Sequence, residues 1–576
     1  MEYRIRHDKC FMSLYLAAMA RYIWTLASSC PEIRWLDAFF SRTRAAFGPN
    51  ANSDFREKTM TYLSQQFLKT AAGNYCRLDN KQIPIRYLKK FAATVTACLF
   101  LGYIPTACIA DENLLPFPTE FNLGDETRLK LEMNERIRGE FADWFGNQQA
   151  NGKVTPKEYS YNFVGNKFQL GARLTNSFSE SFAQLQDTLV AALPTNGLGV
   201  GAAYYQNRPP ETTQNSVFLR QGWSKLKYNG FFLSGGRQLY SDGAQGTARN
   251  TSLKWIQDTR IAQRLIGPFD YTHTGRSFDG GALGYSSDSI EVSGFGFVPT
   301  WGGFETDGMP EISGVDVAGA SLNLRDTGFL PNVLARLSYY YYGDNRNIAA
   351  VDNSIAATQA NGLPINIHTL GGSIAHVIRI GPGNLDGMLY AFGQVGKWRA
   401  LNQAAWAYGA EFGYQFMDVW ASPWLRVGVN SGSGDSNPHD NTHGTFFQML
   451  PTAWLYAQFP FYNMMNNQDV FVQAVLKPHP MITTRIDFHS LSVNASSDLV
   501  YSGSGATNNT LFGYSGMKTG GYLDLAYLAH ASVNFKPLDF LQFNAFYAHA
   551  FGQSILSANY AGNQGNYAFL EAVVSF

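Results

Sequence analysis

Residues 111–576 of this chain predict an all-β fold, a closed antiparallel transmembrane β-barrel of a Gram-negative outer membrane. Three observations predict it: a composition poor in charge yet lacking any helical span, a polar–apolar alternation of period two, and an aromatic final segment behind a secretion-type stretch. Charged residues make up only 15% of the chain, while aromatics also reach 15% and glycine 55 residues. A typical soluble domain carries roughly 25% charge. No run of about 18 apolar residues occurs, which excludes helical membrane spans. A length of 576 residues is large for one soluble core, since such cores stop growing at roughly 250 to 300 residues. A barrel escapes that limit because its strands add around a circumference.

The alternation begins near residue 120, in short segments broken by Gly, Asn, Asp and Pro. In KFQLGARLT, Phe168, Leu170, Ala172 and Leu174 share one face and Lys167, Gln169, Arg173 and Thr175 the other. The split recurs with Val333, Ala335 and Leu337 against Arg336 and Ser338, and with Ile374, Ile378 and Ile380 against Ser373 and Arg379. It continues with Leu425, Val427 and Val429 against Arg426, and with Ile482, Ile486 and Phe488 against Arg485, Asp487 and His489. Aromatics bracket the segments, as in Tyr339 to Tyr342 and Trp406, Tyr408, Phe412 and Tyr414, where membrane interfaces place amphipathic rings. The final segment sets Ala568, Leu570, Ala572, Val574 and Phe576 on one face and ends on an aromatic. Two segments resist. Arg237 shares parity with Leu233 and Leu239, so a bulge sits at Gly235 and Gly236 or the strand ends there. In ETRLKLEMNERIRGEF, Leu129, Met133, Ile137 and Phe141 also fit helical spacing, and strand is chosen for the sake of its neighbours.

Residues 86–110 carry Arg86, Lys89 and Lys90 ahead of an apolar stretch from Phe91 to Ile104, then small residues ending at Ala110. This is the order of a secretion signal peptide. The stretch is too short to span as a helix, and Pro105 argues against lipid attachment at Cys108. Residues 1–85 are left as an unassigned extension. The reading adopted is that the start of the chain lies upstream of the true one, although no Met falls between Met60 and the signal. A long extension with a basic cytoplasmic segment is the alternative.

All five cysteines, Cys10, Cys30, Cys76, Cys98 and Cys108, precede the expected barrel, which therefore has no disulfide and no thiol chemistry. The balanced charge hides a split: residues 1–110 hold 15 Lys+Arg against 7 Asp+Glu, leaving 29 against 37 of the 44 of each. An acidic barrel is a poor partner for nucleic acid.

GRQLYSDG at 236–243, RSFDGGALGYS at 276–286, SGSGDSNPHDNTHGTFFQMLPT at 431–452 and FYNMMNNQDVF at 461–471 together resemble the alginate export family of outer-membrane barrels. The resemblance covers roughly residues 120–576. It implies an eighteen-stranded monomer that conducts an acidic polysaccharide outward through a lumen lined with Arg and Lys. Length agrees independently: strands of about 9 to 11 residues plus turns and loops allow roughly 16 to 20 strands. Expected partners are outer-membrane lipid and lipopolysaccharide, an anionic polysaccharide or small anionic solute, and periplasmic export proteins. A diffusion porin for small anions or sugars is the alternative function.

Parity places Arg128, Lys130, Lys167, Arg173, Arg336, Arg379, Arg426 and Arg485 on the polar face, with Glu132, Glu411 and Asp487 among them. In a closed barrel that face is the lumen. Rings of Arg or Lys suit anions, and a guanidinium grips a carboxylate in bidentate fashion. The inward acids either hold the arginines upright or dilute their field, and a network that only braces the barrel is the competing reading. Asp435 and Asp440 sit in an oxygen-rich loop and are weak metal candidates, because turns use the same residues. No GxSxG, HExxH or P-loop occurs, and His489 and Ser490, being adjacent, point to opposite faces. Neither enzymatic activity nor a cofactor is expected.

Overall fold

The computed structural model describes residues 119–576 apart from 125, 151, 328–329 and 355–361, together with two short paired strands, Cys76–Leu78 and Lys81–Ile83. The expected signal at 86–110, and the expected extension at 1–85 apart from those two strands, lie outside the described residues.

Eighteen strands form one closed barrel. In chain order they are β1 Thr127–Asp143, β2 Ser160–Thr175, β3 Ser179–Ala191, β4 Gln214–Tyr228, β5 Phe231–Gln238 and β6 Phe278–Ser286. The next six are β7 Ile290–Pro299, β8 Val315–Leu324, β9 Val333–Asp344, β10 Ile365–Ile380, β11 Gly383–Trp398 and β12 Leu401–Phe416. The last six are β13 Trp424–Gly432, β14 Asn467–His479, β15 Ile482–Ser492, β16 Asp524–Leu538, β17 Leu541–Gly552 and β18 Gln564–Ser575. Each pairs antiparallel with the next, and β18 closes on β1 from Asn566↔Asp143 to Ser575↔Asn134. Below that seam the short strand Glu120–Gly124 continues along the same edge of β1. Phe576 exchanges two backbone hydrogen bonds with Met133, at 2.8 and 3.0 Å. The helical alternative for ETRLKLEMNERIRGEF is excluded, since the segment is β1. Several strands outrun the expected 9 to 11 residues: β1 has 17 and β10, β11 and β12 have 16 each. They project beyond the bilayer.

One end of the barrel carries tight turns, such as 229–230, 381–382, 480–481 and 539–540, and the other carries most of the long connections. The tight end is periplasmic. Outward residues are those whose parity the sequence marks as apolar: Leu170, Leu337, Ile374, Leu425, Val427 and Ile486 are exposed on the outer wall. Exposed rings form two girdles. Phe178, Tyr228, Phe231 and Phe535 lie toward the turn end, and Tyr339, Trp406, Tyr408 and Tyr527 toward the loop end. The Tyr339–Tyr342 run serves both sides, because Tyr340 and Tyr342 point inward and are buried. At Arg237 the register of β5 runs unbroken to Gln238, so the strand ends there and no bulge forms. Arg237 stays on the outer face near the loop end, with Nε 2.8 Å from Asp279 Oδ1.

The outer wall is not uniformly apolar. Glu135, Asn166 and Asp187 share the parity of Met133, Phe168 and Leu185 and sit near the midpoints of β1, β2 and β3. Glu135 and Asp187 flank Phe168 in register, and the Asn166 amide donates to Glu135. Asp187 Oδ1 is buried and has no hydrogen-bond partner among the described residues.

The inner wall departs further from expectation. Inward positions such as Phe163, Val190, Leu334, Ile365, Met388 and Ala548 are apolar and fully covered. They face chain, not a water-filled hole. Residues 239–277, between β5 and β6, and 433–466, between β13 and β14, fold into the barrel and dock on one another. Gly267 N donates to Leu450 O and Leu450 N to Leu265 O, both at 2.8 Å, and Thr452 N donates to Gln263 O at 3.0 Å. Segments 300–314 and 493–523 pack beside them, with Gly302 N donating to Thr507 O. The result is two apolar cores inside the lumen, of the kind a soluble protein builds.

Replacing Asp187 or Glu135 by Leu is expected to stabilise the barrel in detergent or lipid, by on the order of 1–2 kcal/mol per site, since acids on a lipid-facing wall are unfavourable. Equilibrium unfolding in urea checks this; an unchanged or lowered midpoint would show that these side chains are matched by something outside the chain.

Candidate functional site

The two in-folded segments are fastened to the wall by buried arginines. Helix α1, Thr251–Ile256, starts at Asn250, whose side chain accepts from Ser252 N and Leu253 N. It continues as a π-turn over Gln257–Ile261, which sets Arg260 against the wall. Arg260 binds Glu411 of β12 in a fork, with Nε and Nη2 each 2.8 Å from one carboxylate oxygen. Arg426 of β13 reaches the same carboxylate at 3.2 Å and also pairs with Asp386. Arg264 stacks between Tyr390 and Tyr456, its guanidinium carbon 3.9 and 3.8 Å from the ring centres. All of these groups are buried. Arg336 holds Gln245 of the first segment at 2.9 Å, and Arg485 binds Asp487 and reaches the carbonyls of Leu455 and Tyr456 in the second. Of the sequence-selected residues, Arg336, Arg426, Arg485, Glu411 and Asp487 therefore meet the docked segments or their anchors.

A different arrangement surrounds Asp270. Arg136 of β1 and Lys167 of β2 stand directly opposite one another in register, both inward. Like charges so placed repel. Asp270, near the end of the first in-folded segment, lies over them: Lys167 Nζ is 3.0 Å and Arg220 Nη2 of β4 is 3.1 Å from its Oδ1, while Arg136 donates to its carbonyl at 2.9 Å. The three cations are buried, but the Asp270 side chain is 41% exposed, so solvent reaches this point of the lumen. Crowding by the walls pushes the Asp270 carboxyl up. Lys167, Arg220 and Arg136 outweigh it and hold the group well below the usual carboxylate range. Beside it Arg138 binds Glu571 of β18 at 2.6 Å, across the closing seam.

Toward the periplasm the inward face is polar and partly open. Arg173 binds Glu132 at 2.8 Å and Glu180 at 2.6 Å, with side chains only 20–28% exposed. Arg128 and Lys130 lie at the lower end of β1, and Arg379 faces Asp418 at 3.7 Å with both side chains more than half exposed. Asp270 thus stands at the roof of a periplasmic vestibule, where the docked segments begin.

Next to this roof His273 Nε2 is 2.6 Å from Glu140 Oε1, and its ring fits against the wall only because position 165 is glycine. A Cβ there would lie 2.1 Å from the imidazole. Burial pushes the His273 imidazole down to about 4, the Glu140 hydrogen bond offsetting only part of it. His443 of the second segment lies flat against Trp398, ring centres 4.0 Å apart, and burial takes it to about 3. Asp435 accepts from Asn437 N and Asp440 from Thr442 N, as turn residues do, and neither belongs to a group of three close His, Cys, Asp or Glu ligand atoms among the described residues. His489 faces inward and buried, Ser490 outward and exposed.

Arg136, Arg138, Arg220, Arg260, Arg264 and Asp270 were not anticipated from the sequence. Arg136 and Arg138 carry the parity of Arg128 and Lys130 and were open to the same argument. Arg260, Arg264 and Asp270 lie in an in-folded segment without period two, and Arg220 is the bulged residue of β4, skipped between Leu219↔Leu185 and Gln221↔Gln184.

Comparison with known proteins agrees with this architecture. A family model described as alginate export matches residues 176–558, more than half of the chain. The chain belongs to the alginate export family. The four stretches that resemble that family map onto the in-folded segments: 236–243 and 276–286 lie at the two ends of the first, 431–452 covers the entry and much of the length of the second, and 461–471 covers its exit. Among solved structures the family member is similar to OccK9 (OpdG) of Pseudomonas aeruginosa, at 11% identity and a TM-score of 0.50 over 78% of this chain and 98% of that one. OccAB2 of Acinetobacter baumannii gives 11% and 0.51 over 78% and 98%. A BenF-like porin of Pseudomonas fluorescens gives 11% and 0.50 over 78% and 99%. Identities this low show the fold alone. No curated protein matches in sequence. The alginate-export barrel is an outer-membrane protein of porin-like form.

Two outcomes follow from the docking geometry. Glu411→Ala leaves Arg260 and Arg426 buried without their shared partner, and is expected to weaken docking of residues 239–277 by about 3–5 kcal/mol; limited proteolysis should then cut that segment in folded barrels, while the parent resists. Because the folded pKa of His273 lies below its unfolded value, its contribution is complete above about pH 6.5 and is lost as pH falls toward about 4. Asp352 and Asp435, both pushed up to about 6 chiefly by burial, act with opposite sign between pH 4 and 6. The His273 share is therefore read as the difference between parent and His273→Gln: the variant should lose less thermal stability between pH 7 and 4.5.

Proposed function

We propose that this protein is an outer-membrane channel that passes an anionic, alginate-like polysaccharide outward through its lumen. The observation that carries the reading is the convergence of Lys167 and Arg220 on one solvent-reached carboxylate at the vestibule roof, with Arg136 beside them on the carbonyl of the same residue. A uronate chain presents a carboxylate on every sugar, so Asp270 occupies the place that a substrate carboxylate would take. Displacing a tethered carboxylate by a travelling one keeps the cations paired throughout, which avoids the large penalty of an uncompensated buried charge. The periplasmic vestibule, with Arg173, Lys130 and Arg128 on its wall, supplies further carboxylate contacts on the approach. Arg379 lies at its exposed lower rim. In this reading residues 86–110 direct the chain to the periplasm.

In planar bilayers the reconstituted protein is expected to be anion-selective and to be blocked from the periplasmic side by oligouronates. Neutralising one roof cation, as in Lys167→Gln or Arg220→Gln, should weaken that block roughly 10- to 100-fold, the range for a lost charged hydrogen bond; Asp270→Asn should strengthen it. Anion current without oligouronate block would leave only the small-anion porin, and cation selectivity would sink both readings. N-terminal sequencing of the mature barrel should begin at Asp111.

A further inference from the structure

We propose that Asp487, His489 and His530 form a binding site for one divalent transition-metal ion of the zinc type on the inner wall of the barrel. Asp487 and His489 are alternate residues of β15, so their side chains share its inner face, and His530 of β16 stands directly opposite Asp487 in register. The barrel thus brings three ligands into one patch from only two neighbouring strands. One ligand atom from each lies within 4.8 Å of the other two. His530 Nε2 is 3.5 Å and His489 Nε2 is 3.7 Å from Asp487 Oδ2. Bonds of about 2.0–2.1 Å to a tetrahedral ion would separate its ligand atoms by roughly 3.3 Å, so small side-chain rotations suffice.

Three further features favour an ion over a simple hydrogen-bonded cluster. His489 Nδ1 is 2.8 Å from Asp469 Oδ1 on β14, the carboxylate–histidine arrangement that fixes a ring and turns its other nitrogen toward a metal. That other nitrogen, His489 Nε2, is fully buried and has no hydrogen-bond partner among the described residues. The His489 and His530 rings lie 5.3 Å apart and 20° from parallel, so both present their edges to the same space. Asp487 Oδ2 accepts from Arg485 Nε at 2.8 Å and from Gln473 Nε2 at 2.9 Å, so the carboxylate is fixed in place and an ion would share Oδ2 with these donors. Two imidazoles with one carboxylate select zinc, cobalt or nickel over calcium and magnesium, which take oxygen ligands. Gln458 N, from the second in-folded segment, donates to His530 Nε2 at 3.4 Å, a long contact that an ion on this nitrogen would replace, so the bound ion would sit where that segment meets the wall.

The test uses the full-length barrel folded in detergent, stripped with a chelator and titrated with Co²⁺ alone. One Co²⁺ per chain is expected, with the visible absorption of a low-coordinate site, displaced by Zn²⁺ and undisturbed by excess Ca²⁺. His489→Gln and His530→Gln keep side-chain size and polarity and should abolish the absorption; Asp469→Asn leaves all three ligands in place and should weaken binding by about 10- to 100-fold. Folding of each variant is checked by its heat-dependent electrophoretic mobility. Absence of saturable Co²⁺ binding by the parent overturns the proposal whatever the variants do, as does binding that survives in a folded His489→Gln, His530→Gln double variant.

Discussion

The whole molecule rests on the requirement that no backbone donor or acceptor be left open in hydrocarbon. An open sheet of the same eighteen strands would meet every local preference of this sequence and still expose two edges to lipid, where each unpaired group costs several kcal/mol. The β18–β1 seam removes both edges at once. The chain reinforces it on each side: Phe576 trades hydrogen bonds with Met133 below, and Arg138 spans from β1 to Glu571 of β18 in the lumen. The aromatic last residue is therefore part of the closure as well as the end of the chain.

Once the sheet is closed, the inside has to be filled or left wet, and this barrel does both. Its outer half holds chain packed into two buried apolar cores, with Arg260, Arg264 and Arg426 sharing acids and aromatic faces. Its periplasmic half is a polar vestibule. The boundary between them coincides with Asp270 and its cations. This division accounts for the composition: the aromatics that mark the sequence are shared between two membrane girdles outside and the packed segments inside, as the alternating directions of Tyr339 to Tyr342 illustrate.

Barrel, outward face and family were legible because each is written in nearest-neighbour terms. Parity alone set Leu170 and Ile486 outside and Lys167, Arg426 and Asp487 inside. What could not be read was what those inward residues meet. Glu411 gives no sign in its own strand that its partner is Arg260, about 150 positions earlier, because that contact is made by a segment with no periodicity. The same blindness made a lumen filled by chain look like an open one. Motifs at 236–243 and 431–452 identified the family, yet their physical meaning, turning the chain inward at the rim, emerges only in three dimensions. Arg136 and Arg138 are a different case, since the rule applied to Arg128 and Lys130 reaches them unchanged.

The Glu135, Asn166 and Asp187 trio gives the cylinder a bearing. Acyl chains that slide evenly over leucine and valine around the rest of the circumference meet, on these three consecutive staves, one amide and two acids at mid-depth. A smooth barrel could present any flank to whatever drifts past it in the plane of the membrane. This one has a marked side, adjoining the same seam that closes it.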